Sequence, residues 1–76
     1  MNLEQKIYNM YGSRNKAAVK NGFSGETLRQ SLDSMKGGRF TYANTAMKMW
    51  KKILKLSMKQ TRELIEEYIE ENQDSE

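Results

Sequence analysis

Chemistry at neutral pH needs groups that titrate there, or ligands that hold a metal, and this chain is short of both. Its 76 residues contain no His and no Cys. Thiolate nucleophiles, disulfides and thiolate metal sites are thereby excluded. Zinc is nearly excluded as well, because Asp and Glu alone seldom hold it, and the commonest acid–base side chain is missing. The carboxylates that remain in helical register, Glu63/Glu67 and Glu66/Glu70, match acid–base pairs in type only. With no pocket-forming elements around them they read as a solvated helix face. Gly37-Gly38 lacks the following Lys-Ser/Thr of a phosphate-cradling loop and reads as a turn. No calcium-loop spacing occurs. The expectation is a protein that is not an enzyme, takes no cofactor, no metal and no small-molecule substrate, and works by binding.

Charge carries that binding. Thirteen Lys and Arg oppose ten Asp and Glu, a formal net charge of +3. The average hides two unlike parts. Residues 1–62 hold all thirteen cations against Glu4, Glu26 and Asp33, a balance of +10, whereas residues 63–76 hold seven anions and no cation. A body this basic points to a polyanion: nucleic acid, an anionic membrane or an acidic protein. A surface that is merely solvated and basic is the alternative. No apolar run of about eighteen residues is present to span a membrane, and the first residues do not resemble a secretion signal. A cytoplasmic location with no membrane partner is expected.

The elements that must position these charges read as helices throughout. A chain of this length makes one domain at most and buries only roughly 60–65% of its unfolded surface. Leu3, Ile7, Met10 and Tyr11 fall on one helical face, opened by an Asn2/Gln5 capping box and closed by Gly12. Ser13 caps a second helix with Ala17, Ala18 and Val19 as its small apolar face. Gly22 ends that helix, and Ser24 caps a third with Leu28, Leu32 and Met35 in a stripe. Thr41 is the expected cap of a fourth helix carrying Ala46, Met47, Trp50, Ile53 and Leu54, with Lys48, Lys51, Lys52 and Lys55 off that stripe. Ser57 and Gln60 open a fifth, whose apolar positions are Met58, Leu64, Ile65, Tyr68 and Ile69. Residues 35–43 read as helix ahead of a short strand or wing. The division is a basic body over 1–56, an acidic C-terminal helix over 57–72 and a disordered tail over 73–76.

The span SRNKAAVKNGFSGETLRQSL, from Ser13 to Leu32, has the parts of two helices crossing at a turn. Ala18 is a small residue where the second helix crosses. Gly22 supplies the positive φ of the turn. Phe23 and Leu28 pack the pair. On these residues, and on the later stretch GGRFTYANTAMKMWKKILKLS, the chain resembles the lambda-repressor and Cro-like (Xre-type) helix-turn-helix regulators of phages and mobile elements. The likeness covers roughly Met1 to Ile69. It departs from the family pattern at Asn21, where Leu is usual, and at Ser31, where a second apolar residue is common.

The resemblance implies an all-α, compact five-helix lambda-repressor-like helix-turn-helix domain that binds an operator in double-stranded DNA. Carried over by position, Ser24, Gly25, Glu26, Thr27, Arg29 and Gln30 would face the major groove. Those types fit, since Gln pairs with adenine, Arg with guanine, and Glu accepts from cytosine. Arg14, Asn15, Lys16, Lys36 and Arg39 would touch phosphate. The apolar set Leu64, Ile65, Tyr68 and Ile69 is divided between the domain and a second subunit, giving a homodimer that spans a palindrome. Function would be occupancy of an operator by a Cro-like transcriptional regulator, in the sense of a repressor. The alternative is a small helical interaction module that binds and modulates a host or phage protein, with the acidic helix as its working surface.

Overall fold

The computed structural model describes residues 2–72. Five α-helices follow one another: α1 (Leu3–Tyr11), α2 (Arg14–Lys20), α3 (Gly25–Lys36), α4 (Asn44–Leu54) and α5 (Met58–Asn72). No strand occurs among the described residues. The expected tail at 73–76 lies outside them.

Local chemistry sets four of the five starts. Asn2 Oδ1 accepts from the Gln5 N–H at 2.8 Å, and Ser13 Oγ from the Lys16 N–H at 3.1 Å. Ser24 Oγ accepts from the Thr27 N–H at 3.1 Å, and Ser57 Oγ from the Gln60 N–H at 3.2 Å. The last is reciprocal, because the Ser57 N–H donates back to Gln60 Oε1 at 3.5 Å.

α4 departs from expectation. Its N-cap is Ala43, which offers no side-chain bond, and not Thr41. Met35 and Lys36 finish α3, Gly37 and Gly38 turn, and residues 39–43 are neither helix nor strand. Both readings of that stretch are corrected. Its order comes from tertiary contacts: the Phe40 and Tyr42 rings meet edge-on with centroids 5.1 Å apart, and the Arg62 guanidinium lies 4.5 Å from the Tyr42 centroid. A local pattern does not register a segment held by a helix twenty residues away.

A single hydrophobic cluster draws on all five helices, and Trp50 is its largest fully buried side chain. α5 belongs to it through Thr61, Ile65 and Tyr68, so the basic body and the acidic helix share one core. Three apolar expectations fail. Val19 is 60% exposed, while Met10 and Met58 also lie at the surface. Each helical residue turns about 100° from the last, which carries Val19 off the face of its fully buried neighbours Ala17 and Ala18.

The two departures from the family pattern are hydrogen-bonding positions. Asn21 Nδ2 donates to Tyr11 Oη at 3.2 Å and to the Ala17 carbonyl at 2.8 Å. Tyr11 in turn donates to the Ile53 carbonyl at 2.6 Å. The end of α2 is thereby tied to α1 and to α4. Ser31 Oγ accepts from the buried Trp50 Nε1–H at 2.8 Å, tying α3 to α4. A buried indole N–H left without a partner is costly, so the polar residue at position 31 answers a need set by Trp50.

Candidate nucleic-acid interface

α2 and α3 are joined by the four residues Asn21–Ser24. Gly22 sits there at φ 86°, a left-handed conformation that side chains with a Cβ resist. The Phe23 N–H donates to the Ala18 carbonyl at 2.9 Å, closing the turn. Ala18 is fully buried, as are Leu28 and Leu32 on the inner side of α3. α3 therefore presents Glu26, Thr27, Arg29, Gln30 and Asp33 to solvent.

The starts of α2 and α3 meet at a groove of about 470 Å³ lined by Tyr8, Ser13, Arg14, Asn15, Gly25, Glu26 and Arg29. Gly25 lets the Asn15 side chain lie close at this junction. A Cβ placed there would run into the Asn15 side-chain oxygen, with Asn15 Cγ at 3.3 Å. Two cations, Arg14 and Arg29, thus stand beside two helix starts, where backbone N–H groups favour an anion.

Arg29 is not free. Its Nη2 lies 2.5 Å from Glu26 Oε2 and its Nη1 3.2 Å from Asp33 Oδ2. Gln30 Nε2 donates to the same Glu26 oxygen at 3.3 Å. The hydrogen bond from Arg29, then its charge, holds the Glu26 carboxyl below the usual carboxylate range. Glu26 in turn pushes the Arg29 guanidinium up, so both stay ionised. All of these groups are exposed, so water competes for each bond and the network can open to a ligand.

Of the expected base-facing residues, Gly25, Glu26 and Arg29 line the groove, and Gln30 joins through Glu26. Ser24 and Thr27 bond each other at 2.8 Å between their hydroxyls. Thr27 stands on the other flank of α3, in an apolar hollow with Phe23, Ser31 and Met49. Of the expected phosphate contacts, Arg14 and Asn15 line the groove, and Lys16 is exposed beside them on α2.

Lys36 and Arg39 are not part of this constellation. Lys36 lies eleven residues along α3, about 16 Å from its start, and its Nζ is 3.4 Å from Glu4 on α1. The Arg39 guanidinium lies over Gly37, with Cζ 2.9 Å from where a Cβ would stand. Tyr8 is the residue that sequence reasoning missed. It reads as packing but is half exposed at the groove rim. Its step of one residue from the buried Ile7 was the available signal.

On α5, Ile65 and Tyr68 are buried by their own chain, whereas Leu64 and Ile69 are half buried. Of the four residues expected at a dimer interface, Ile65 and Tyr68 thus pack on the domain, and Leu64 and Ile69 keep part of their surface exposed. Among the described residues no metal-type cluster of three or more side chains converges, and no helix is long and apolar enough to cross a membrane.

Comparison with protein-family models, with curated proteins and with solved structures finds no match to this chain.

Proposed function

We propose that this chain is a sequence-specific double-stranded DNA-binding protein of the lambda-repressor-like helix-turn-helix type, acting as a Cro-like transcriptional repressor. The supporting observation is the convergence of the α2 and α3 starts, with Arg14, Asn15 and Arg29, on one groove under an outward face of α3. In this reading α3 enters the major groove by its first two turns. Arg29 and Gln30 exchange Glu26 and Asp33 for base edges, and Glu26 is released to accept from cytosine N4. Arg14, Asn15 and Lys16 hold phosphates and fix the register. Lys36 and Arg39 are at the far end of α3 and take no part.

Occupancy is the whole mechanism: the bound protein excludes polymerase or a rival regulator. A dimer through Leu64 and Ile69, positions of α5 that are partly buried against their own core, would pair two α3 helices across an inverted repeat. One observation favours the rival reading of a protein-interaction module. The outward face of α3 is charge-compensated, with Glu26, Arg29 and Asp33 already bonded to one another.

The test is binding of the chain to a duplex enriched from a random pool and to its scrambled version, across a salt series. Specific binding gives a ratio of about 10³ or more and a steep salt slope. Equal binding of both duplexes points to sequence-independent association. No binding of either at low salt points to the interaction module.

A further inference from the structure

α4 and α5 carry two outward stripes that mirror each other. Lys48, Lys51 and Lys52 occupy i, i+3 and i+4 of α4, which is one face of a helix, and Lys55 follows as its C-cap with a left-handed backbone at φ 58°. All four are exposed. None lies within ion-pair distance of a carboxylate among the described residues, and Lys52 is occupied only by the Phe23 ring, 5.7 Å from its Nζ. Glu63, Glu66, Glu67 and Glu70 occupy i, i+3, i+4 and i+7 of α5 and are exposed as well. Only Glu66 has an ion pair, with its own Arg62 at 3.3 Å. The glutamate stripe runs about 10 Å along α5 and the helical lysines about 6 Å along α4, with Lys55 just beyond them, so the two match in number and oppose in sign.

One molecule cannot bring its own stripes together. α5 is fixed on the core by its opposite face, through the buried Thr61, Ile65 and Tyr68. α4 is fixed likewise by Met47, Trp50 and Ile53. Both stripes therefore point away from the shared core into solvent.

We propose that the partner is a second copy of this chain, whose α5 glutamates lie along the α4 lysines of the first. The contact runs along the glutamates of α5, with Leu64 at its edge in one hollow with Glu63 and Glu67, and it does not rest on the DNA-binding reading. Exposed ion pairs are individually weak and screened by salt, so the association is salt-sensitive. It leaves one stripe free at each end when it propagates in one direction.

Sedimentation equilibrium of the intact chain at about 50 mM and about 500 mM salt is the first measurement. Roughly tenfold or greater weakening at the higher salt is expected, since the Debye length falls from about 14 Å to about 4 Å. Two charge-swapped chains give the second, one with the four α4 lysines changed to Glu and one with the four α5 glutamates changed to Lys. Each alone loses self-association, and an equimolar mixture regains it. Zero-length carbodiimide cross-linking of a mixture of unlabelled and ¹⁵N-labelled native chains needs no variant. It is expected to join α4 lysines to α5 glutamates in peptides of mixed label. A chain that is monomeric at low salt with no mixed-label cross-link overturns the proposal. So does a dimer that survives both high salt and the single swaps, because that dimer uses the apolar face of α5. Loss of nucleic-acid binding in the lysine variant with self-association intact assigns the stripe to phosphates and overturns it too.

Discussion

Tyr68 donates its hydroxyl to Glu4 across 64 residues of sequence, and Lys36 reaches the same carboxylate oxygen from α3. Three helices meet at one acid. The Glu4 carboxyl is held below its ordinary value of 4.5 chiefly by the Tyr68 hydroxyl, against the opposing effect of partial burial and with help from Lys36. The stability this contributes is complete above the unfolded value, near pH 4.5, and disappears as pH falls through the lower folded value. Tyr68→Phe is therefore expected to cost roughly 1–2 kcal/mol at neutral pH. The gap from the native chain should narrow in acid, as read by denaturant midpoints at both pH values. Thr61 makes the opposite case. Its hydroxyl is fully buried with no hydrogen-bond partner among the described residues, so Thr61→Val keeps shape and β-branching while removing an unsatisfied group. A gain of up to about 1 kcal/mol is expected from the same midpoints, and a clear loss would show that the hydroxyl has a partner. Neither site was legible in the sequence. The Glu4–Tyr68 bond is set by how α5 returns to α1, and Thr61 reads as an exposed polar residue until α5 is placed. Asn21 and Ser31 were visible only as departures from a pattern, because their partners, Tyr11 and Trp50, are 10 and 19 residues away.

At the scale of elements, what could be read was what is local. Asn2, Ser13, Ser24 and Ser57 cap helices that begin one residue later, and their bonds join residues three apart. The Ala18, Gly22 and Leu28 spacing likewise placed α2, its turn and α3. α4 shows the limit. Its start depends on Phe40, Tyr42 and Arg62 packing together, so the nearest capping residue in sequence, Thr41, is not the one used. The Ala43 backbone has the extended conformation of a cap, φ −65° and ψ 148°, without the side chain to exploit it. Ala43→Ser is expected to supply the missing acceptor and to raise stability by about 1 kcal/mol, measured as a shift in thermal midpoint. No shift would mean that the α4 N–H groups already bind water well. The exposed elements were legible in charge but not in pairing. Glu26, Arg29 and Gln30 are expected to face outward as separate readers, and the structure has Arg29 and Gln30 both bonded to Glu26.

The molecule as a whole keeps its basic body and acidic helix on one core, and their charges point outward. The groove edge holds the cations Arg14 and Arg29, while α3 itself is charge-compensated by Glu26 and Asp33. If α3 enters DNA as we propose, it gains little from phosphate attraction along its length, and discrimination would come from base contacts made after Arg29 leaves its carboxylates. Specific and random DNA should then differ most in moderate salt, where the general attraction is screened. On the proposed DNA-binding reading, Arg29, which stands on the outward face of α3 and lines the groove, is the side chain on which sequence choice depends. Parallel selections of bound duplexes from a random pool, with the native chain and with Arg29→Ala, test this most directly. The account predicts that the native chain enriches a short defined motif, and that Arg29→Ala keeps the motif but loses preference at one base position by about ten- to a hundredfold. No enriched motif, or the same motif at the same strength from both proteins, would contradict it.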